Sequence, residues 1–537
     1  MLSLLFIKFL EQHLIVTAIL LFLPIPLRAL EVYLRRWRLA QAQGCQDAAS
    51  KVPVKDPIVG FDFLYRVFFG KAPERYLDST WEAFKEMGTT YIERRWSWQC
   101  VYTCDPQNLR QILATGCEDF DLPEFRTSVI GHIFGQGIFV LSGYTWKHAR
   151  TVLRQSFRKD NPAPFLETLE RNFQAFIKHV PTDDSEVDLQ PLFLALTMDV
   201  STEFLMGHST NMLSDKADHT REQQFVDDYM ICSEEIIQQM QLGPLHRLKF
   251  NFTAKRAKKR VYEYLDTFIE ESLQNPLNGR DGNFLTDMMA IANDKKGLSD
   301  QILHILLASR DTTSSLLSNL FFFLSKNSRI FSKLRDEVLS ISGQAPPSAS
   351  LLKEMTYLRW CVNECECLPI QPYAVISHFS TALRLHPVIP TNARVAVRDT
   401  IIPRGGGADG QSPLFISKGT ALFYNVYAMH RNQDVFGPRT EEFVPERWQD
   451  LRPGWGYLPF NGGARACIGR ELSTKGYVMH KADLACLEQY ALLETHYVVA
   501  RMAQTYTQLE SRDDGEWMEL YALALCSKNG TRVAARV

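Results

Sequence analysis

The sequence lacks the features that mark several common protein classes. Its charges are scattered and sum to a formal net charge of −2, which argues against a nucleic-acid groove because such a groove shows clustered basic residues. Its eleven cysteines follow no repeating spacing, so a disulfide framework is not expected and a reducing compartment is favoured. Neither an internal repeat nor a glycine fingerprint of a flavin or dinucleotide site occurs along the chain. A chain without these features must be classified from its individual motifs.

The N-terminal segment also lacks a long uninterrupted hydrophobic run. Polar residues at positions 8 and 11–13 interrupt residues 1–27, so the dense apolar core covers only residues 14–23, which is short against the roughly 20 residues that span a bilayer. A cleaved signal peptide is the alternative, but no cleavage site flanked by small residues follows. Arginines at positions 28, 35, 36 and 38 crowd the far side, which keeps the following chain in the cytosol. Residues 1–27 are therefore predicted to be an uncleaved, single-pass anchor in the endoplasmic reticulum membrane.

The rest of the chain divides into two parts. Residues 28–59 are predicted to form a basic, proline-containing linker, and residues 60–537 a single domain. Strand-like alternation near residues 97–103 is followed by helical patterns through residue 327. Five cations within residues 255–260 predict a solvated helix face, with contact to a membrane surface as the alternative.

The longest helical pattern covers residues 297–324, with Ser299 or Asp300 as the expected cap. Asp311 and Thr312 lie in its middle. Acids and hydroxyls are poor helix formers inside an apolar run, so their presence requires a reason. One reason is a threonine hydroxyl that bonds back to the preceding turn; the resemblance described below supplies another.

A glycine-rich stretch at residues 460–470 places a cysteine in an unusual setting. Cys467 lies between Gly463 and Gly469, so the backbone can turn tightly beneath a flat group and leave the sulfur exposed to it. Arg465 can offer a fork of donors to a carboxylate, and Phe460 supplies an aromatic wall. A thiolate at this position can ligate iron, whereas a purely structural buried cysteine in a glycine-rich turn is the alternative.

A second pair of donors lies in a predicted helix upstream. Trp146 and Arg150 are one helical turn apart, so an indole N–H and a guanidinium share one face. Such a pair suits a single carboxylate, and a packed pair at the surface is the alternative.

The pattern Phe-x-x-Gly-x-Arg-x-Cys-x-Gly at residues 460–469 resembles the haem-binding loop of the cytochrome P450 superfamily. The resemblance covers nearly the whole chain from about residue 60 and implies a mainly α fold, with a helical domain, a small β-rich region and an N-terminal membrane anchor helix. It implies haem b as the cofactor, with Cys467 as the axial ligand of the iron. The loop residues Phe460, Gly463 and Gly469 would lie against the haem. The propionates would be held by the residues at the family's donor positions: Trp146, Arg150, Arg394 and Arg465.

The same resemblance assigns a role to the polar residues of the central helix. Asp311 and Thr312 match the acid–alcohol pair that guides protons to the oxygen-binding face of haem, although Ser309 stands where the family usually has glycine. The implied activity is that of a haem-thiolate monooxygenase, which hydroxylates a hydrophobic substrate with O2 and two electrons. Because the chain carries no flavin or dinucleotide fingerprint, the electrons are expected from a membrane-bound NADPH–cytochrome P450 reductase.

Within the superfamily, the segments GFDFL, RDTT, TNARVAVRDT and FNGGARACIG look most similar to fungal hydroxylases of long-chain alkanes and fatty acids. An enzyme that tailors a secondary metabolite is the alternative in substrate class. A non-oxidative haem-thiolate isomerase or dehydratase is an alternative in reaction class, but the Asp311–Thr312 pair argues against it.

Two segments interrupt signatures that otherwise match the family. Residues 365–381 separate Glu364 from Arg384, which would otherwise form a Glu-x-x-Arg helix that continues a predicted helix over residues 351–364. Arg447 matches the position that completes this charge network. Residues 471–488 separate the cysteine loop from an amphipathic helical pattern at residues 489–506. We interpret both segments as short retained introns; if the protein contains them, an inactive product is the alternative.

Overall fold

The computed structural model describes most of the chain from Pro24 onward. The described residues are 24–53, 56, 75–95, 98–156, 162–214, 220–274, 288–289, 291–292, 294–362, 382–449, 451–468, 490–513 and 515–537. Both interrupting segments, 365–381 and 471–488, lie outside the described residues. Two predicted site residues, Glu364 and Gly469, lie outside them as well.

Most of the described chain is helical, as the sequence predicts. The α-helices in chain order are α1 (Pro24–Ala42), α2 (Tyr76–Met87), α3 (Pro106–Arg110), α4 (Glu124–Phe134), α5 (Gly143–Ser156), α6 (Ala163–Phe176), α7 (Leu189–Met206), α8 (Thr220–Leu242), α9 (Phe252–Gln274), α10 (Lys295–Lys326), α11 (Ser328–Ser342), α12 (Ala349–Glu354), α13 (Thr356–Val362), α14 (Ala382–Leu385), α15 (Val426–Met429), α16 (Gln433–Phe436) and α17 (Tyr490–Thr505).

Short strands form a minor β region in the described part of the chain. They are β1 (Thr90–Arg95), β2 (Trp98–Thr103), β3 (Phe120–Asp121), β4 (Val187–Asp188), β5 (Thr391–Ala396), β6 (Thr400–Gly406), β7 (Ser412–Ile416), β8 (Ala421–Asn425), β9 (Gln508–Ser511), β10 (Glu519–Tyr521), β11 (Leu525–Ser527) and β12 (Arg532–Arg536). The largest sheet has the order β1-β2-β8-β5-β3. Its β2 and β8 are parallel, and its other neighbouring strands are antiparallel. The strand predicted near residues 97–103 is β2, and β5 carries Arg394.

Helix α10 runs between two hydrophobic cores. Residues 316–324 pack with α6, α7, α11 and α17 in the first core. Residues 298–307 pack with α4, α5, α8 and α9 in the second core. Between these two stretches, four side chains are only half-buried: Ala308, Ser309, Asp311 and Thr312. The two cores therefore place the polar centre of α10 at the less densely packed boundary between them.

The cap of α10 differs from the prediction. The helix is capped by Asp294, whose Oδ1 accepts a hydrogen bond of 2.7 Å from the backbone N–H of Gly297, and not by Ser299 or Asp300. Asp300 is buried and accepts a hydrogen bond of 2.7 Å from the backbone N–H of Gln136. The prediction was wrong because apolar periodicity begins one turn inside the helix, whereas the cap lies in the polar segment before it.

The helix predicted over residues 351–364 is two helices in the structure. Met355 interrupts it with an extended ψ of 85° between α12 and α13. The Glu337 carboxylate accepts hydrogen bonds from the backbone N–H groups of Tyr357 (2.6 Å) and Leu358 (2.7 Å). A carboxylate at this position satisfies free N–H groups at the start of a helix. A residue on α11 therefore starts a new helix where the local sequence favours continuation.

The helix predicted after the second interrupting segment is present as α17, but it is not amphipathic. Side chains 492–504 are all buried, because α17 packs against α6, α10, α11, α12 and α13. A helix that is packed on every side buries its polar residues along with its apolar ones.

The run of cations at residues 255–260 forms a largely solvated face of α9, as predicted. Lys255, Arg256, Lys259 and Arg260 are exposed. Lys258 is half-buried, and its Nζ donates a hydrogen bond of 2.5 Å to the backbone oxygen of His132.

Helix α1 covers the boundary between the predicted anchor and the predicted linker. The anchor, residues 1–27, is described only from Pro24, and α1 continues through the first half of the linker to Ala42. Arg36 joins α1 to the domain through a hydrogen bond of 3.2 Å from Nε to Asp399. In the described part of the chain, we find no helix with the length and apolar composition that crossing a membrane requires.

Candidate functional site

The loop that carries Cys467 is shaped by a close backbone approach. Gly463 has a φ of +66°, and a Cβ atom there would lie 1.6 Å from the backbone oxygen of Leu113, so only glycine fits. The backbone N–H of Cys467 donates a hydrogen bond of 3.0 Å to the oxygen of Phe460, which closes the loop. Among the described cysteines, Cys467 alone is exposed. The thiol is therefore displayed by a fixed backbone, as the glycine pattern predicts.

Two of the predicted donors meet beside this loop. The Arg465 guanidinium lies 4.3 Å from the ring centre of Trp146, and the Arg150 guanidinium lies 5.7 Å from the same ring. Burial lowers the pKa of Arg150, and the charge of Cys467 opposes this shift. The structure thus brings Trp146, Arg150 and Arg465 together next to Cys467, although residues 150 and 465 are far apart in the chain.

Helix α10 positions the segment that leads into α5 and its Trp146. His304 Nδ1 accepts a hydrogen bond of 3.1 Å from the backbone N–H of Phe139, and Nε2 lies 3.2 Å from the backbone oxygen of Gly135. Burial lowers the pKa of His304 to about 4, so the ring is neutral and its Nε2–H donates to Gly135. This ring fixes the residues just ahead of the donor helix.

Arg394 joins the cluster from β5, and Arg126 joins it from the first turn of α4. Both guanidinium groups donate to the side-chain oxygen of Asn392, Arg126 at 2.7 Å and Arg394 at 3.4 Å. Burial, with a smaller contribution from the charge of Arg394, lowers the pKa of Arg126 to about 10. The sequence analysis missed Arg126 and Asn392. Arg126 is one of several polar residues at the start of α4, which also carries Glu124 and Thr127, so no local pattern distinguishes it or indicates which residues it meets.

The cluster holds more positive than negative charge. The pKa of Arg465 is lowered to about 10, mainly by burial; Asp121 opposes the shift, and the charges of Arg394, Arg126 and Arg150 contribute to it. Among the described residues of the cluster, Asp121 is the carboxylate that reaches a guanidinium, at 3.4 Å from Arg465. Arg394 is buried, and Arg126, Arg150 and Arg465 are half-buried. Cations withdrawn from water without counter-charges are destabilising, so the cluster favours binding of an anion.

A haem fits these residues. Its two propionates would supply negative charge for the cluster, and the exposed Cys467 would be a suitable ligand for haem iron as a thiolate. Trp146, Arg150, Arg394 and Arg465 are the residues that would hold the propionates.

The acid and the hydroxyl on α10 are each held by their own helix. Thr312 Oγ1 donates a hydrogen bond of 2.6 Å to the backbone oxygen of Ala308, so the bond back to the preceding turn is present. Arg310 NH1 donates a hydrogen bond of 2.7 Å to Asp311 Oδ1. Burial raises the pKa of Asp311, and Arg310 opposes this. Asp311 and Thr312 therefore lie side by side and half-buried. The Thr312 hydroxyl oxygen can still accept a hydrogen bond through its lone pairs.

The predicted structural network is described only in part, since Glu364 lies outside the described residues. Arg384 is fully buried, and its guanidinium donates to the backbone oxygens of Thr440 (2.5 Å) and Glu442 (3.0 Å). Arg447 donates to the oxygens of Phe436 (2.6 Å) and Glu442 (3.3 Å). The two arginines thus meet at Glu442, and their pairing with Glu364 stays a prediction.

Comparison with known proteins agrees with this geometry. A family described as "Cytochrome P450" matches residues 63–477. The chain is 36% identical over 503 residues to "Cytochrome P450 monooxygenase himC" of Aspergillus japonicus, covering 91% of this chain and 84% of that protein. It is 35% identical over 529 residues to "Cytochrome P450 monooxygenase fsdH" of Fusarium heterosporum, covering 94% and 86%. It is 32% identical over 511 residues to "Cytochrome P450 52A13" of Debaryomyces hansenii, covering 91% of each.

Proposed function

Because this chain belongs to the cytochrome P450 family, it is a monooxygenase with haem b as its cofactor, and we propose that it hydroxylates a long-chain alkane or fatty acid. The observation that carries the proposed site is the exposed Cys467 beside a largely half-buried cluster with an excess of positive charge. The polar centre of α10 lies between two apolar cores, and an apolar surround suits a hydrophobic substrate.

Each site residue has a role in this proposal. When bound, haem supplies the oxygen activation and C–H oxidation that side chains cannot perform. Cys467 would hold the iron and donate electron density to it, while Trp146, Arg150, Arg394 and Arg465 would hold the propionates. Asp311, whose pKa is raised by burial although Arg310 opposes the shift, would take up a proton at its carboxyl group and pass it toward the oxygen-binding face, with Thr312 accepting a hydrogen bond beside it. The side chains of the protein would thus position the substrate and deliver protons, and the cofactor would perform the oxidation.

The substrate class is tested by offering three compounds to the haem-loaded enzyme with a reductase present. We expect hydroxylated products from dodecane and from a long-chain fatty acid. Product from a polycyclic substrate alone would contradict the proposal and favour secondary-metabolite tailoring.

The proposed electron source is an NADPH-dependent reductase, with O2 as co-substrate. The absence of a flavin or dinucleotide fingerprint in the sequence supports an external donor. Turnover is expected to require both NADPH and the reductase. Turnover without either one would indicate a non-oxidative isomerase or dehydratase.

We propose that the protein is attached to the endoplasmic reticulum membrane with its catalytic domain in the cytosol. Exposed apolar side chains support a membrane contact; on α1 they include Ile25, Leu27, Leu30, Tyr33 and Trp37, and around the start of α9 they are Leu248, Phe250 and Phe252. Basic residues flank both groups, as in helices that lie at an anionic lipid surface. Fractionation of cells that express the full chain tests this, and recovery in the soluble fraction would contradict it.

The two interrupting segments are proposed to be retained introns. The family match ends at residue 477, inside the second segment, which supports the proposal. Sequencing of the mature transcript tests it directly, since reads that contain both segments would contradict it.

The carbon monoxide difference spectrum of the reduced protein, recorded with and without the segments, tests their effect. A thiolate–carbonyl band from the shortened form alone would show that the segments prevent haem binding, and a band from both would show that the protein tolerates them.

A further inference from the structure

We propose that Arg126 and Asn392 form a carboxylate-binding subsite that recognises the head group of an anionic substrate, such as a free fatty acid. The inference rests on the proposed function and deepens it, because it separates fatty acids from alkanes. Its basis is the arrangement of charge around Arg126.

Arg126 is half-buried, and among the described residues it has no charged partner. Its NH1 donates to the neutral Asn392 side-chain oxygen at 2.7 Å, and no carboxylate among the described residues pairs with it. Arg394 donates to the same oxygen at 3.4 Å, so two like charges converge on one amide group. Like charges brought together away from water favour the binding of an anion.

When haem is bound, one positive charge of the cluster has no negative charge to balance it. Arg126, Arg150, Arg394 and Arg465 are four positive charges, whereas Asp121 and the two propionates are three negative ones. Asp121 is already held by Ser142 Oγ at 3.0 Å and by Arg465. One further carboxylate therefore balances the cluster, and Arg126 is the cation that lies outside the donor positions matched by the family resemblance.

Asn392 supplies the second donor. Its side-chain oxygen accepts from both arginines, which orients the amide, and its amide nitrogen makes no hydrogen bond to a described residue. A carboxylate can accept one bond from Arg126 and one from this nitrogen, and such two-point recognition is stronger and more selective than a single contact.

The position of Arg126 favours the substrate side of the cluster. Its charge acts on His304, which belongs to α10, and its own pKa responds to Arg394 and Tyr424 of the sheet. Its helix α4 packs against α8 and α10. Arg126 therefore lies between the sheet and the helix that carries Asp311 and Thr312.

The subsite is tested by ligand binding to the haem-loaded protein. Dissociation constants are measured by spectral titration for dodecanoate and for 1-dodecanol, which has the same chain length without the charge. Arg126→Gln is expected to weaken dodecanoate binding about ten- to a hundredfold, as for loss of a charged hydrogen bond, and to change dodecanol binding less than about twofold. Arg126→Lys, which keeps the charge, is expected to retain part of the selectivity.

Two further variants keep the test decisive. Asn392→Asp places a carboxylate between the two arginines and is expected to weaken dodecanoate binding in the same selective way without removing Arg126. Arg247→Gln is the matched control, because Arg247 meets the exposed Glu124 of α4 at the surface and its loss is expected to leave both ligands unaffected.

Several outcomes would overturn the inference. Equal weakening of both ligands would mean that Arg126 acts only through packing. A fall in haem content per protein with Arg126→Gln, measured by the pyridine haemochrome spectrum, would assign Arg126 to a propionate instead. If the unaltered protein binds neither dodecanoate nor dodecanol, the proposed substrate class fails. If it binds both and Arg126→Gln does not weaken dodecanoate binding selectively, only the subsite fails.

Discussion

Replacement of Gly463 by alanine tests the central claim about the Cys467 loop, that a close backbone approach holds the thiol in place. Gly463 adopts a φ of +66°, and an added Cβ would lie 1.6 Å from the oxygen of Leu113 and 2.4 Å from its carbonyl carbon. Both contacts are to backbone, which cannot rotate away as a side chain can. The loop would have to move by more than an ångström.

The expected loss of stability has two parts. A left-handed φ costs a residue with a Cβ about 1–2 kcal/mol, and relieving an overpacked contact costs about 1–3 kcal/mol. Together they give about 2–5 kcal/mol. Gly454→Ala is the matched control, because Gly454 also has a positive φ, +52°, but an added Cβ would meet nothing within 4 Å. Only the backbone part, about 1–2 kcal/mol, is expected there.

The measurements are urea unfolding and the carbon monoxide difference spectrum, both on the form of the protein that binds haem. Gly463→Ala is expected to lose more stability than Gly454→Ala and to lose the thiolate–carbonyl band in whole or in part, because displacement of the loop moves Cys467. Equal loss of stability in the two variants with an unchanged band would refute the reasoning, since it would mean that the approach to Leu113 is not restrictive.

Three other changes have distinct expected outcomes. Arg310→Met removes the cation that lowers the pKa of Asp311, so the effect of burial is unopposed and this pKa rises. The part of the pH–turnover profile that reports ionisation of Asp311 is therefore expected to move to higher pH. If it does not move, Asp311 is not in the proton path. Burial raises the pKa of Glu494 to about 8, so the fold favours the protonated form and loses stability as pH rises toward that value. Glu494→Gln is therefore expected to raise Tm more at pH 8 than at pH 5, and an equal change at both would contradict the assignment. Asp294→Ala is expected to lower the free energy of unfolding by about 1 kcal/mol, measured by urea unfolding, because the cap of α10 is lost. An unchanged free energy of unfolding would mean that another residue caps the helix.

The parts of the site that depend on local chain geometry were predictable from the sequence. The glycine spacing around Cys467 indicates a tight turn with a displayed thiol, because glycine supplies conformations that other residues avoid. Helical spacing places Trp146 and Arg150 on one face in the same way, and the long apolar period predicts α10. These motifs identify the family, and their residues meet in the structure.

Contacts between distant parts of the chain were not predictable in this way. Asn392 lies 266 residues from Arg126, and no local pattern connects them. Glu337 begins a helix at Tyr357, and packing buries all sides of α17, although the sequence of each segment favours a different outcome. Only the tertiary structure decides these features, because they depend on which charges and apolar faces the fold brings together. The sequence by itself determined that a tight, glycine-rich turn carries Cys467, because glycine adopts a positive φ at residue 463 without strain, whereas the approach of this turn to the backbone of Leu113 was decided by the fold. The balance of charge around that loop was decided by the fold, since it sums groups from α4, α5, β5 and the loop itself.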